Sequence, residues 1–152
     1  MVCEIDTQIN EIKSPRVRYL LRIDHIAIAV KDLEPALQNF KNVLAIDHVD
    51  LEDVPAEKVK VAILKLEDTR IELLQPIGDD SPISRFLTEK GEGIHHLAIT
   101  ADEIETDVER ASSNGAKILG GIRSGSYGRK ITFVHPKSVN GVLMELCQAP
   151  PT

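Results

Sequence analysis

Aromatic side chains are scarce in this chain of 152 residues: three Phe, two Tyr and no Trp make up 3% of it. Stacking platforms for nucleic-acid bases or sugars therefore have little to be built from. Cysteine is scarce as well. Cys3 and Cys147 are the only two and stand too far apart to read as a disulfide framework, which points to a reducing, cytoplasmic compartment. No apolar run approaches the roughly 20 residues that a membrane-spanning helix needs. The N-terminus lacks the basic character of a secretory or transit peptide, because Glu4, Asp6 and Glu11 stand there. Positive charge is in deficit: a net charge of −6 keeps the chain soluble and disfavours nucleic acid as a non-specific partner.

What the chain does have is a repeat. Ile23-Asp24-His25-Ile26-Ala27-Ile28-Ala29-Val30 returns 71 positions later as Ile94-His95-His96-Leu97-Ala98-Ile99-Thr100-Ala101. A second echo follows each copy, Ile71-Glu72-Leu73-Leu74-Gln75 and then Met144-Glu145-Leu146-Cys147-Gln148, so that His25 precedes Glu72 by 47 residues and His96 precedes Glu145 by 49. A duplication inside one domain's length implies two half-domains of about 70 residues that need each other to bury a core.

Each half reads as β-α-β-β-β. Residues 1–20 have no counterpart in the second half and are expected to be an N-terminal extension to a domain over 21–150. In the first strand, Arg22 to Val30, His25, Ala27 and Ala29 share one face and Ile26, Ile28 and Val30 the other. The alanines leave room above the sheet beside the histidine. Asp32 caps a helix to about Leu44 with an apolar stripe of Leu33, Leu37, Phe40 and Leu44. Strands are predicted over 46–51, 59–66 and 70–75, closing a first module at about 22–77. Ser81-Pro82 opens a helix to about Lys90, read as a linker because the second half lacks it. The second module, about 94–149, has a strand over 94–100 and a helix opened by a capping box at Asp102-Glu103-Ile104-Glu105. Asn114-Gly115 stops that helix, and strands follow over 117–119, 129–135 and 142–148. The stretch Gly120 to Gly128 is too rich in glycine for regular structure and reads as a ligand-contacting loop.

A lone histidine on an apolar strand is more often a core residue than a ligand, and a lone glutamate more often faces solvent. Here both recur at equivalent positions among aliphatics, where a carboxylate is costly unless it is paired or holds a metal. His25, Glu72, His96 and Glu145 are therefore candidate ligands, and two nitrogens with two carboxylates suit Zn²⁺, Co²⁺, Ni²⁺ or Mn²⁺. The repeat aligns His96 with His25, and His95 with Asp24, so His95 is expected on the opposite face. His48 and His135 have no echo and take structural readings. Lys137 and Ser138 in the tract from His135 fit a phosphate or carboxylate contact as well as they fit a solvated turn. Cys147 shares a face with Glu145 and reads as a buried thiol.

With these strings in view, the chain resembles the vicinal oxygen chelate superfamily, whose members include glyoxalase I, extradiol dioxygenases and antibiotic-resistance proteins. Asp24-His25-Ile26-Ala27-Ile28-Ala29-Val30, Ile71-Glu72-Leu73-Leu74-Gln75-Pro76, Gly91-Glu92-Gly93-Ile94-His95-His96 and His135-Pro136-Lys137-Ser138 through Gly141-Val142-Leu143-Met144-Glu145-Leu146 are most similar to its methylmalonyl-CoA epimerase family. The resemblance runs from about Ile23 to Gln148. It implies an α+β fold of two tandem βαβββ modules forming a cup-shaped, eight-stranded mixed sheet. It further implies a divalent metal, Co²⁺ foremost, on His25, Glu72, His96 and Glu145, a CoA thioester substrate, and a homodimer.

The implied reaction interconverts the two stereoisomers of methylmalonyl-CoA through an enolate. Two acid/base groups on opposite faces would serve it, and a Lewis acid would stabilise the enolate. Glu145 is the first of these groups by resemblance. Some members of the family carry a glutamate at the position of Val61, which cannot move a proton, so Glu72 is the candidate for the second. Ser126, Tyr127, Gly128, Lys137 and Ser138 are expected at the substrate, and Arg123, Arg129 and Lys130 near the CoA phosphates. A glyoxalase I-like lyase or isomerase and a non-catalytic binder of the same fold are the alternative readings.

Overall fold

Both copies of the repeated stretch become the central strands of one sheet. In a computed structural model of the chain, which describes residues 21–152, the elements run β1 (Ile23–Ala29), α1 (Leu33–Leu44), β2 (Val49–Val54), β3 (Val59–Lys65), β4 (Arg70–Pro76), α2 (Pro82–Lys90), β5 (Gly93–Thr100), α3 (Ile104–Ser113), β6 (Ile118–Ser124), β7 (Lys130–Val134) and β8 (Met144–Gln148). The expected extension over residues 1–20 lies outside the described residues. No helix among the described residues is long and apolar enough to cross a membrane.

The eight strands are ordered β2-β3-β4-β1-β5-β8-β7-β6. The antiparallel pair β1–β5 joins the two halves, and a parallel pair flanks it on each side, β1–β4 and β5–β8. The sheet is mixed and curls, bringing its far edges together. After β6, the Tyr127 amide donates to Glu52 Oε2 of β2 at 3.0 Å, and Arg123 of β6 pairs with Glu57, just past β2, at 3.2 Å. The cup-shaped, eight-stranded α+β fold implied by the family resemblance is the one observed.

Alternation divides the apolar residues between two layers. Val30, Ala62, Leu64 and Leu73 form the layer beneath α1 and pack with Leu33, Leu37 and Phe40 of its stripe. Ala27, Ala29, Val59, Val61, Ile63 and Leu74 lie on the other face, against Ile83 of α2. The repeated glutamines have a structural task. The first free N–H of α1, at Leu33, donates to Gln75 Oε1 at 2.7 Å, and that of α3, at Ile104, donates to Gln148 Oε1 at 2.7 Å. Each module ties its helix to the end of its own last strand by satisfying a donor that the helix cannot satisfy itself. The capping box expected at Asp102 to Glu105 does not form. The N-cap is Glu103 without a side-chain cap bond, because Gln148 supplies the acceptor from across the module.

Three further expectations shift. Strand β2 starts at Val49 rather than Ile46, because Ile46 is drawn into the layer beneath α1. The Gly120–Gly121 stretch does not end β6, which continues to Ser124 across a register shift between Leu119 and Arg123. Gly120 there takes φ 69°, a backbone region open to glycine at little cost. Helix α2 is more than a link, since Pro82 and Ile83 form part of a cavity wall. Leu73 has no exposed surface, and Leu73→Ala is expected to cost about 2–5 kcal/mol, read as a lowered midpoint in urea with the slope unchanged.

Candidate active site and metal centre

Register decides which side chains meet on the cavity face. His25 on β1 lies opposite Ala98 on β5, and Ala98 opposite Glu145 on β8. The mirror row is Glu72 on β4, Ala27 on β1 and His96 on β5. Paired residues point to the same side of a sheet, so each row holds one histidine and one carboxylate with an alanine between them. Ala27 and Ala98 have no exposed surface, and their small side chains leave the space in which the longer ones converge.

The two imidazoles meet through their Nε2 atoms, 3.1 Å apart. Glu145 Oε2 lies 2.9 Å from His96 Nε2 and 3.8 Å from His25 Nε2. The donor atoms of His25, His96 and Glu145 all fall within 4.8 Å of one another, and all three residues are at most 5% exposed. Two imidazole nitrogens and a carboxylate oxygen aimed at one buried spot fit a divalent transition ion, and this cluster can hold one. Glu72 stands beside the set, its Oε2 3.7 Å from His25 Nε2. Its Oε1 accepts hydrogen bonds from Ser126 Oγ at 3.0 Å and Arg70 at 3.2 Å.

Neighbouring groups hold the histidines from behind. His25 Nδ1 is 2.8 Å from Asp24 Oδ1, and Asp24 is itself paired with Arg70 and, at 3.4 Å, with Arg129. Burial opposes protonation of His25, but the Asp24 hydrogen bond and the Glu72 and Glu145 charges outweigh it and raise its pKa. Burial likewise opposes ionisation of Asp24, yet His25, Arg70 and Arg129 hold it below the usual carboxylate range. Cys147 is 1% exposed. Burial, and then the Glu145 and Asp24 charges, raise its thiol pKa, so it is no nucleophile at neutral pH.

His95 departs from expectation. Ala27 pairs with His96 but Ile28 with Ile94, so β5 bulges at His95. A bulged residue escapes strict alternation. His95 therefore lines the cavity instead of pointing to the opposite face, and its ring meets Phe86 of α2 edge-on at 4.9 Å. Burial and then repulsion by His96 push its pKa down to about 4.

His25, Glu72, His95, His96 and Glu145 line a cavity of about 250 Å³ whose wall also includes Val54, Val61, Leu74, Ile131, Phe133 and Leu143. Of the residues expected at the substrate, Ser126 lines this cavity and Tyr127, Gly128, Lys137 and Ser138 do not. The Tyr127 hydroxyl donates to Asp50. Gly128 and Lys137 are exposed, and Ser138 Oγ accepts from the Lys117 amide at 2.9 Å. Among the cations expected near the CoA phosphates, Arg129 faces Asp24 and Lys130 pairs with Glu105 at 2.6 Å. Arg123 lines the cavity with its partner Glu57. Reading the sequence overlooked Arg70, Glu57 and the α2 wall, which have no echo in the repeat.

The fold and this cluster define a class: paired βαβββ modules around a metal-competent cup. Residues 24–133 match the Glyoxalase/Bleomycin resistance protein/Dioxygenase superfamily, and the chain belongs to it. It is 39% identical over 130 residues to the ethylmalonyl-CoA/methylmalonyl-CoA epimerase of Cereibacter sphaeroides, covering 84% of this chain and 97% of that one. It is 36% identical over 128 residues to the uncharacterized protein YqjC of Bacillus subtilis, covering 84% and 91%. A variant of the Streptomyces coelicolor methylmalonyl-CoA epimerase, in complex with 2-nitronate-propionyl-CoA, superposes with a TM-score of 0.82 at 33% identity over 86% of this chain and 98% of that one.

In chelator-treated protein, the His95 imidazole is expected to titrate near pH 4 rather than the ordinary 6.5, followed by ring nitrogen chemical shifts in NMR. Between those values the unfolded chain takes up a proton that folded His95 refuses. Its contribution to stability therefore falls as pH is lowered through this window.

Proposed function

We propose that this chain is a methylmalonyl-CoA epimerase. The observation that carries the reading is the buried His25, His96 and Glu145 cluster on an apolar cavity, in a chain so similar to epimerases of that substrate. Glu72 completes the ligand set as a fourth donor. These residues would hold a divalent ion, Co²⁺ foremost, which would supply Lewis-acid stabilisation of the enolate.

The chain's own groups do the rest. Glu145 directs Oε2 at the histidine pair, which leaves Oε1 to take the proton from the carbon between thioester and carboxylate. Glu72, entering the cycle as the protonated acid, gives its proton to the opposite face, since Val61 offers none; Glu145 is left protonated, and exchange with water resets the pair. Ser126, already bonded to Glu72, aligns that carboxylate and stands where the acyl group would lie. Apolar walls exclude water and strengthen each electrostatic contact. Tyr127, Gly128, Lys137 and Ser138 lie outside the cavity and are given no part in this step, and the chain is assigned to a homodimer, which sedimentation equilibrium checks.

Proton NMR of methylmalonyl-CoA in D₂O tests the activity. The α-proton signal is expected to vanish with the protein present, to persist after chelator treatment, and to vanish again when Co²⁺ is restored. Persistence with metal bound would refute the assignment. Glu145→Gln is expected to slow exchange about 10²–10⁴-fold. Glu72→Gln should retain exchange at one face while epimerisation falls by a similar factor, and an unimpaired Glu72→Gln enzyme would remove Glu72 as the second base.

A further inference from the structure

Two bulges interrupt the β1–β5 pair, and the internal repeat relates them. On β1 the pairing skips from Ile23 to His25 and leaves out Asp24; on β5 it skips from Ile94 to His96 and leaves out His95. Each omitted residue immediately precedes a histidine of the central cluster, and each meets that histidine at Nδ1. Asp24 Oδ1 is 2.8 Å from His25 Nδ1, and His95 Nδ1 is 2.9 Å from His96 Nδ1. The first contact is a familiar carboxylate–imidazole pair. The second joins two ring nitrogens and has room for a single proton.

The position of that proton follows from the other side of the ring. His96 turns Nε2 toward Glu145 and His25, so the lone pair that a metal would take is on Nε2. A neutral imidazole with its lone pair there carries its proton on Nδ1. His96 is then the donor in the Nδ1–Nδ1 contact, and His95 must accept. His95 can do so only as the neutral tautomer with its own proton on Nε2, which becomes a spare donor on a ring that lines the cavity. Phe86, packed edge-on at 4.9 Å, holds the ring in place.

We infer that His95 is a positioning residue of the metal centre: by accepting the Nδ1–H of His96 it fixes the tautomer and ring orientation in which His96 coordinates. The inference rests on the metal-centre reading above but not on the identity of the substrate. Outer partners of this kind typically govern about 10–100-fold in metal affinity.

The test uses the full chain, stripped with chelator and titrated with Co²⁺ against a chromophoric competitor. His95→Phe keeps a ring against Phe86 but has no acceptor, and is expected to weaken Co²⁺ binding by about 10–100-fold. In His95→Asn the side-chain oxygen can stand where Nδ1 stood, and affinity should return to within about threefold of the original, a factor small beside the loss expected without an acceptor. Thermal midpoints of the three stripped proteins separate acceptor loss from misfolding. Equal affinity in His95→Phe would overturn the inference, as would a folded His95→Asn that binds as weakly as His95→Phe. A wild-type chain that takes up no Co²⁺ would overturn the metal centre and this inference with it.

Discussion

Two imidazoles and two carboxylates occupy one buried spot, surrounded by valine, leucine, isoleucine and phenylalanine. Carboxylates taken out of water cost several kcal/mol each unless a counter-charge offsets them. Part of the counter-charge comes from Arg70, which pairs with both Asp24 and Glu72. A divalent cation at the convergence of the Nε2 atoms would supply the rest. The sheet, the alanine gaps and the bulges all serve to bring these donors together at a depth where the charges act strongly.

Duplication makes that convergence simple to build. A sheet with β1 and β5 antiparallel at its centre places the two repeats around an approximate twofold axis, so one histidine–alanine–glutamate row generates the other. The repeated glutamines extend the same economy to the helices, tying each to its own module. Departures from symmetry mark the places where the halves differ in task. Asp24 is charged and backed by two arginines, whereas its counterpart His95 is held neutral. Helix α2 occurs once and covers the cavity from one side, and the pair between Arg123 and Glu57 closes the curled edges on another.

Much of the centre was legible because ligand side chains follow period-two alternation, which a sequence displays directly. His25 and Ala27 could be assigned to one face of their strand, and the repeat marked His96, Glu72 and Glu145 as the matching donors, before any coordinates. His95 could not. A single extra residue in a strand shifts facing without leaving a compositional mark, and alignment with Asp24 placed His95 on the opposite face. The equivalence held, since both are bulged, but both turn toward the site. The glycines after Leu119 misled in the opposite way: positive φ at Gly120 kinks β6 and does not end it.

The sequence by itself determined the duplicated plan, the order of strands and helices, and the identities of the buried nitrogen and carboxylate donors, because these depend on local periodicity and on the internal repeat. Only the tertiary structure decided which atoms face one another. Strand register, the two bulges in the β1–β5 pair, the reach of Gln75 and Gln148 to helix ends, and the packing of α2 over the cavity each depend on contacts between residues far apart in the chain. Such contacts are selected by the shape of the whole core, which no local pattern encodes. The opening strand around His25 illustrates both sides of this division: its periodicity announces a ligand with space beside it, while the bulge at Asp24 and the partner across β5 make that ligand part of a centre.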